Sequence, residues 1–342
     1  MLKEIRTREG DLVQIKEDII FDVKGLIHPP HRIVAFPRYI PEPLGDRERK
    51  GQRFKKIYSL SARYRFLEKK LPQYIAHDPV LDETLCEVPE KDVQKHFDPI
   101  EKLGKLRSSE KLDPTERIAL KLAESLNNQA SLTSNAIGIS GSILAGLYTA
   151  SSDIDPVVYG SGNCRKVHAA LGDLLEDKYG PFKPYSREEL KALFDFRSKD
   201  TMMSFEDFVR TESRKVMQGK FLGRDYFVRF VKDWNEVKEK YGDVRYVNVG
   251  NARIEATVAD DSESVFTPCI YKIGNVQVLE GPSVGHIEEI ASFRGRFCEQ
   301  ARIGEVIIAQ GKVERVTNTI RKREYFRLLV GNKPSDYVIL KH

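Results

Sequence analysis

The stretch GISGSILAGLYTASSDIDPVVYG, residues 138–160, decides the fold of this 342-residue chain. Its pattern predicts a short apolar strand that ends in a Gly-Ser turn, a short helix, and a second strand with two aspartates around one isoleucine. Side chains alternate between the faces of a strand, so we expect Asp153 and Asp155 to project together while Ile154 packs behind them. Because two such carboxylates repel each other, a bridging Mg²⁺ ion, which prefers oxygen ligands, would suit them.

The turn at Gly141 and Ser142 forms the second half of this expected site. Gly141 would let a phosphate group approach the backbone, while Ser142 and the amides that follow it offer donors to negative oxygens. Each half is a weak signal by itself, since alternating acids commonly line a solvated strand. Together, in this order and spacing, the two halves predict a site for phosphoryl transfer.

This arrangement resembles the signature of the DNA polymerase β-like nucleotidyltransferase superfamily, in which Gly-Ser, a spacer and Asp-x-Asp precede an apolar strand, here Val-Val-Tyr. The whole chain also resembles an archaeal group of predicted nucleotidyltransferase-domain proteins. The motif covers only residues 138–160, and Pro156 departs from it, because the position after the second aspartate is usually a plain apolar residue. A proline removes one ladder donor, so we expect the strand to be unpaired there or to lie at an edge.

The resemblance implies that the chain transfers an NMP from an NTP to an acceptor hydroxyl and releases pyrophosphate. Asp153 and Asp155 would bind two Mg²⁺ ions, with Mn²⁺ as a possible substitute. Gly141 and Ser142 would bind the phosphates of the nucleotide. An enzyme of this kind needs no histidine in its mechanism.

The resemblance further implies a third carboxylate on a neighbouring strand. Residues 251–261, NARIEATVADD, alternate as a half-buried strand does and make Glu255 the candidate. Arg253 lies on the same face and is a candidate phosphate contact. The alternative is a surface face without chemistry, and Asp260 or Asp261 at the strand end is the second choice for the third ligand.

Basic residues cluster in two parts of the chain, although its net charge is only +5. Residues 47–70 hold ten Lys or Arg against two Glu, and residues 312–333 hold seven against two Glu. Such clusters attract polyanions, so nucleic acid, RNA rather than DNA, is the expected acceptor. Two alternatives stay open, a non-catalytic nucleic-acid-binding protein on the same scaffold and an enzyme that nucleotidylates a protein or small molecule.

We predict an α+β chain of three domains. Residues 1–110 would form an N-terminal α/β region with a basic helix, and residues 111–275 a nucleotidyltransferase domain with a central mixed sheet and a helical insertion. Residues 276–342 would form a small antiparallel β domain. Residues 98–112 are expected to form the connecting turn, and a helix capped by Asp113 should follow it.

Composition excludes several other classes of protein. No apolar run approaches the roughly 20 residues of a membrane helix, and the N-terminus lacks an apolar signal core, so we expect a cytoplasmic chain without a membrane partner. The four cysteines are scattered, which argues against a zinc knuckle and against a disulfide framework.

Overall fold

The structure, a computed structural model, describes residues 5–133, 135–198 and 202–341. The helices are α1 (Leu60–Lys70), α2 (Pro99–Arg107), α3 (Pro114–Gln129), α4 (Gly141–Ala145), α5 (Ser161–Glu176), α6 (Arg187–Arg197) and α7 (Phe205–Glu212). The first strands are β1 (Leu12–Ile15), β2 (Ile20–Val23), β3 (Arg32–Pro41), β4 (Arg47–Arg49), β5 (Gln52–Lys56), β6 (Ile75–Asp78), β7 (Glu83–Pro89), β8 (Val93–Phe97), β9 (Ile137–Ile139) and β10 (Pro156–Tyr159). The later strands are β11 (Phe182–Lys183), β12 (Gln218–Phe221), β13 (Arg224–Phe227), β14 (Arg229–Val231), β15 (Val244–Glu263), β16 (Cys269–Glu280), β17 (Ile287–Ser292), β18 (Val306–Asn318), β19 (Arg323–Leu329) and β20 (Tyr337–Leu340).

The chain divides into two compact units. The first comprises Met1–His77, Thr84–Pro184 and Val216–Lys238, and the second comprises Asp78–Glu83, Tyr185–Lys215 and Glu239–His342. Both units combine helices with β-sheet, so the predicted α+β class is confirmed. None of the helices in the described ranges is long and apolar enough to span a bilayer.

Helix α3 begins where local sequence signals place it. Asp113 caps the helix, since one carboxylate oxygen accepts hydrogen bonds from the backbone N–H groups of Thr115 and Glu116, at 2.8 and 2.9 Å. Pro114 occupies the first helical position, where its missing N–H is not needed. The buried side chains lie on one stripe of the helix, at Ala119, Leu122, Ala123 and Leu126.

The first unit contains an N-terminal sheet, a smaller mixed sheet and an antiparallel sheet of β11, β12 and β13. In the mixed sheet, β10 lies between β9, to which it is antiparallel, and β14, to which it is parallel. The N-terminal sheet and the motif segment share a core cluster. Its members are Leu12, Ile20, Tyr39, Phe54, Phe97, Leu144, Ala145 and Leu147.

This shared core corrects the predicted domain boundary after residue 110. Leu12, Ile20 and Tyr39 pack in one cluster with apolar side chains of α4 and the turn after it, so residues 1–110 do not form a separate domain. The expected connecting turn at residues 98–112 is wrong for most of its length, because α2 occupies Pro99–Arg107. The sequence signal was present, because Asp98, Pro99 and Glu101 repeat the cap pattern that predicted α3 at Asp113.

A closed five-stranded barrel forms most of the second unit. Strand β15 pairs with both β16 and β18, and the circuit continues from β16 through β17 and β19 back to β18. All of these pairs are antiparallel except β17 with β19, which is parallel. The predicted boundary between residues 275 and 276 would cut β16 in two, and the β-rich C-terminal segment therefore forms one body with the strand before it.

A row of charged side chains crosses three strands of this barrel. Glu289 on β17, Arg327 on β19 and Glu314 on β18 are cross-strand neighbours, and each is at least nine-tenths buried. Arg327 Nε donates to Glu314 Oε2 at 2.7 Å, and the Arg327 guanidinium lies 3.9 Å from the centre of the Tyr246 ring. Lys312 adds a second cation 2.7 Å from Glu314. Burial of these charges is tolerated because each one has a partner.

Replacement of Glu314 by glutamine should therefore destabilise the barrel. The change removes the anion that Arg327 and Lys312 share. Arg327 loses its ion-paired carboxylate, whereas Lys312 keeps Glu83 at 2.7 Å, and we expect the free energy of unfolding to fall by about 3 kcal/mol. Glu280→Gln is the matched control, since Glu280 pairs with Arg253 at the surface and should change stability by less than about 1 kcal/mol. Urea unfolding followed by circular dichroism measures both values, and equal effects of the two variants would contradict this account of the row.

Candidate functional site

The backbone on both sides of Ile154 holds the two aspartates in place. Ile154 bridges to Tyr226, its N–H donates to the carbonyl oxygen of Asp225 at 2.9 Å, and its own carbonyl accepts from the N–H of Phe227 at 3.1 Å. Ile154 is fully buried, whereas 47% of the Asp153 side chain is exposed. The two aspartates thus lie on the extended segment just ahead of β10, with Ile154 packed behind them.

Pro156 is the first residue of β10, which is the central strand of its sheet. It pairs with Ile139 on the antiparallel side, while regular pairing on the parallel side resumes at Val157 with Arg229. The strand therefore does not lie at an edge of the sheet, and that expectation is wrong. The other expectation, a local lack of pairing, holds on the parallel side, where Pro156 has no partner in the register. The proline is tolerated because it occupies a strand end, where a missing donor interrupts only one ladder.

Gly141 and Asp155 are in direct contact. A Cβ atom on Gly141 would lie 1.8 Å from Asp155 Oδ2, and the φ angle of Gly141 is +63°. The neighbouring Ser140 N–H also donates to the backbone oxygen of Asp155 at 2.8 Å. Only glycine satisfies both the close approach and the left-handed backbone, so the turn holds this carboxylate against main-chain atoms.

Two buried hydroxyl groups belong to the same part of the first unit. Ser142 and Tyr39 are each 1% exposed, and neither Ser142 Oγ nor Tyr39 Oη has a hydrogen-bond partner within the described ranges. Burial raises the pKa of Tyr39, and the charges of Asp155 and Asp153 raise it further. Buried polar groups normally have partners, so unpaired hydroxyls beside two carboxylates are typical of a site that receives a ligand.

Basic side chains surround the two carboxylates. Lys56 Nζ lies 4.0 Å from Asp153 Oδ1, and Lys56 stands directly across from Tyr39 in the pairing of β5 with β3. Lys56 is 8% exposed. Burial lowers its pKa, and so does the charge of Arg38, whereas Asp153 and Asp155 raise it.

The pKa of Asp155 shows that the nearby cations do not fully compensate the charge of the two carboxylates. The pKa of Asp155 is raised to about 6, mainly by burial and further by repulsion from Asp153. Lys56, Arg229 and Arg38 oppose this rise but do not cancel it. The two carboxylates therefore favour a proton or a bridging cation between them.

The strand beside the aspartates carries an arginine where the resemblance implies a carboxylate. Strand β14 is the parallel neighbour of β10, and its first residue, Arg229, pairs with Val157. The guanidinium of Arg229 forms an ion pair with Glu9, which is fully buried and also accepts from Lys24 Nζ at 3.1 Å. The expected third carboxylate is thus not on this neighbouring strand.

Glu255, the candidate third ligand, lies in the second unit. Its strand, β15, belongs to the barrel and is not part of the sheet that contains β10. Glu255 Oε1 is 2.6 Å from Lys341 Nζ, and Arg253 pairs with Glu280 at the same distance. Both residues are on one face of the strand, as predicted, and their roles at the site stay predictions.

The second-choice aspartates are also on β15. Asp260 Oδ1 accepts from the N–H of Ser262 at 2.8 Å, and Asp261 Oδ2 accepts from the N–H of Ile303 at 3.2 Å. These contacts order the backbone at the end of the strand. Across the part of the chain that the structure describes, no three His, Cys, Asp or Glu side chains are grouped as a metal site.

The residues present fit one Mg²⁺ ion better than two. Mg²⁺ is commonly held by one or two protein carboxylates and completes its shell with water and substrate phosphates. Asp153 and Asp155 supply that number of ligands, and a bound cation would offset the burial and repulsion that raise the pKa of Asp155. A second ion would need a further carboxylate, which β14 does not provide.

The sequence offers the basic residues between 210 and 229, Arg229 among them, either for lining a triphosphate or an acceptor strand or as a solvated face, but it does not single out Arg38 or Lys56 for this site. Arg38, Lys56 and Arg229 come from β3, β5 and β14, which are far apart along the chain. The basic stretch after Gly51 was the available signal for Lys56. The sequence predicts a helix for this stretch, but in the structure β5 comes first and α1 follows it. Within the same basic stretch, residues 210–229, Arg214 pairs with Glu305.

The raised pKa of Asp155 predicts a pH-dependent cost to folding. Since the pKa is about 6 in the folded chain and 3.8 ordinarily, the folded state holds the proton more tightly, and stability falls as pH rises between these values. Asp155→Asn removes this titration, so the variant should gain stability relative to the original chain from about pH 4 to pH 7. Urea unfolding in EDTA measures the difference, and a difference that does not change with pH would contradict the raised pKa.

Comparisons with known proteins place the chain in a family. The uncharacterized protein MJ1086 of Methanocaldococcus jannaschii is 32% identical to it over 336 residues, and the alignment covers 96% of each chain. No family model and no solved structure matches the chain. Since the similarity extends over nearly the whole of both sequences, the chain belongs to the same family as MJ1086.

Proposed function

We propose that the chain is a magnesium-dependent nucleotidyltransferase that moves an NMP from an NTP to an acceptor hydroxyl. The observation that carries the proposal is the close packing of the Asp155 carboxylate against Gly141, beside Asp153 and Lys56. This contact brings the two halves of the sequence motif together in space. A surface strand with alternating acids would not require a glycine at this distance.

Each residue of the site has a role in this proposal. Asp153 and Asp155 hold the metal, which neutralises charge on the phosphates during transfer. The turn at Gly141 and the hydroxyl of Ser142 hold the phosphates that leave as pyrophosphate. Lys56 supplies a further positive charge, and its partial burial strengthens its attraction to a phosphate oxygen.

The acceptor is proposed to be a nucleic acid, RNA rather than DNA. Support comes from the basic residues of β4, β5 and α1, several of which are exposed, such as Arg53 and Lys55. The barrel adds support by analogy alone. Its order, in which the first strand pairs with the second and fourth and the third is parallel to the fifth, is that of the OB barrels that bind oligonucleotides.

Arg229 favours a second candidate function, a nucleotide-binding or nucleic-acid-binding protein that does not transfer a nucleotidyl group. A guanidinium on the strand next to the aspartates can bind phosphate but cannot bind a second metal ion. Without that ion, the activation of an acceptor hydroxyl would need another group. This candidate predicts nucleotide binding without turnover.

Loss of either aspartate should abolish transfer. The purified chain is incubated with each α-labelled NTP, Mg²⁺ and total RNA, and label on RNA, protein and small molecules is measured separately. Asp153→Asn and Asp155→Asn should each lower incorporation about 100-fold or more, because the metal contributes several kcal/mol. Asp195→Asn, which changes an exposed carboxylate of α6, should leave it unchanged.

The distribution of label separates the candidate functions. Label on RNA that depends on the two aspartates supports the proposed enzyme. Label that depends on the two aspartates but appears on protein or on a small molecule would support the proposed transfer and overturn the proposed acceptor. Nucleotide binding without any transfer would favour the second candidate.

Glu255→Gln tests the third ligand. If Glu255 completes a metal site, the variant should lose activity as the aspartate variants do, and a higher Mg²⁺ concentration should restore part of it. Glu280→Gln is the matched control, since it changes another carboxylate of the barrel that forms an ion pair. Full activity of Glu255→Gln would assign this residue to its ion pair with Lys341 and remove it from the site.

A further inference from the structure

An exposed aromatic ring lies near Lys56, the side chain that pairs with Asp153. Tyr58 follows β5 by two residues and is 48% exposed. Several other tyrosines of the first unit are buried; Tyr39 and Tyr74, for example, are 1% and 4% exposed. A ring that served only to fill the core would be buried as these are.

Two cations connect Tyr58 to the site. Lys56 Nζ lies 5.1 Å from the centre of the Tyr58 ring and 4.0 Å from Asp153 Oδ1, so one side chain touches both. The Arg38 guanidinium lies 5.6 Å from the same ring centre. Arg38 Nη1 also donates to the carbonyl oxygen of Ile57 at 3.2 Å, which orders the backbone next to the ring.

We propose that Tyr58 is the platform on which a nucleobase stacks when a nucleotide occupies the carboxylate pair. The proposal rests on the proposed function for the presence of a nucleotide, and adds the residue that holds its base. Lys56 is close to both the ring and Asp153, so the phosphates of such a ligand would pass beside it, with Arg38 as a further cation next to the ring. The base belongs either to the NTP or to the end of the acceptor strand.

The chemistry of the three side chains fits a nucleotide better than a simple anion. Phosphate alone would require the cations but no aromatic surface. A nucleobase gains free energy by stacking on an aromatic face, and neighbouring cations strengthen the contact with the ring. Aromatic stacking accepts every base, so the platform should favour nucleotides over base-free phosphates without selecting one base.

Binding to the full-length chain tests the proposal without any need for turnover. The ligands are the α,β-methylene analogues of ATP and UTP, a short single-stranded RNA, and inorganic tripolyphosphate as the base-free control, each with Mg²⁺. Tyr58→Ala should weaken binding of a base-containing ligand about 5- to 150-fold, the equivalent of about 1–3 kcal/mol of stacking per base. Tyr58→Phe keeps the ring and should bind as the original chain does.

The ligands distinguish the source of the base. A loss confined to the nucleotide analogues assigns Tyr58 to the NTP, and a loss confined to RNA assigns it to the acceptor. In both cases tripolyphosphate should bind the alanine variant unchanged, and circular dichroism should show the same melting curve.

Two results would overturn the proposal. One is that Tyr58→Ala binds every ligand with the affinity of the original chain. This outcome includes the case in which the original chain binds none of the ligands. The other is equal weakening for tripolyphosphate and the nucleotide analogues, which would give Tyr58 a merely structural role. If transfer is absent but binding depends on Tyr58, the proposed enzyme fails while the base platform stands.

Discussion

The repulsion between Asp153 and Asp155 is the constraint on which the candidate site depends. Asp155 is held against Gly141 and cannot move away from its neighbour without opening the turn. Burial and the second carboxylate together raise its pKa to about 6, even though Lys56, Arg229 and Arg38 oppose the rise. The fold thus maintains an unfavourable arrangement of charge, and such arrangements persist where a ligand removes the cost.

The cations of the first unit can be understood from the same constraint. Lys56 has little access to solvent, and burial lowers its pKa, yet the two carboxylates favour its charged form. Arg229 is fixed by the buried Glu9 and acts on Asp155 from the side of β14. The site therefore holds positive and negative groups that a metal–phosphate ligand, which also carries both signs, would match.

The barrel of the second unit shows the contrasting way to bury charge. Glu314 has both Arg327 and Lys312 within hydrogen-bond distance, and Glu289 has Lys272 and the hydroxyl of Tyr325. Every buried acid in this row thus has a cation as a partner. The row needs no ligand, whereas at Asp155 burial and repulsion from Asp153 outweigh the nearby cations, and a bound cation or a proton would reduce this cost.

The sequence by itself determined the local features of this protein. The cap at Asp113, the strand before the Gly-Ser turn and the shared face of Asp153 and Asp155 follow from rules that act over a few residues, and each could be predicted. The tertiary structure alone decided that β14 presents Arg229 beside β10, that Glu255 lies on a barrel strand, and that β3 and β5 bring Tyr39 and Lys56 together. These outcomes depend on which strands pair, and pairing between distant segments is set by the burial of the whole core rather than by neighbouring residues.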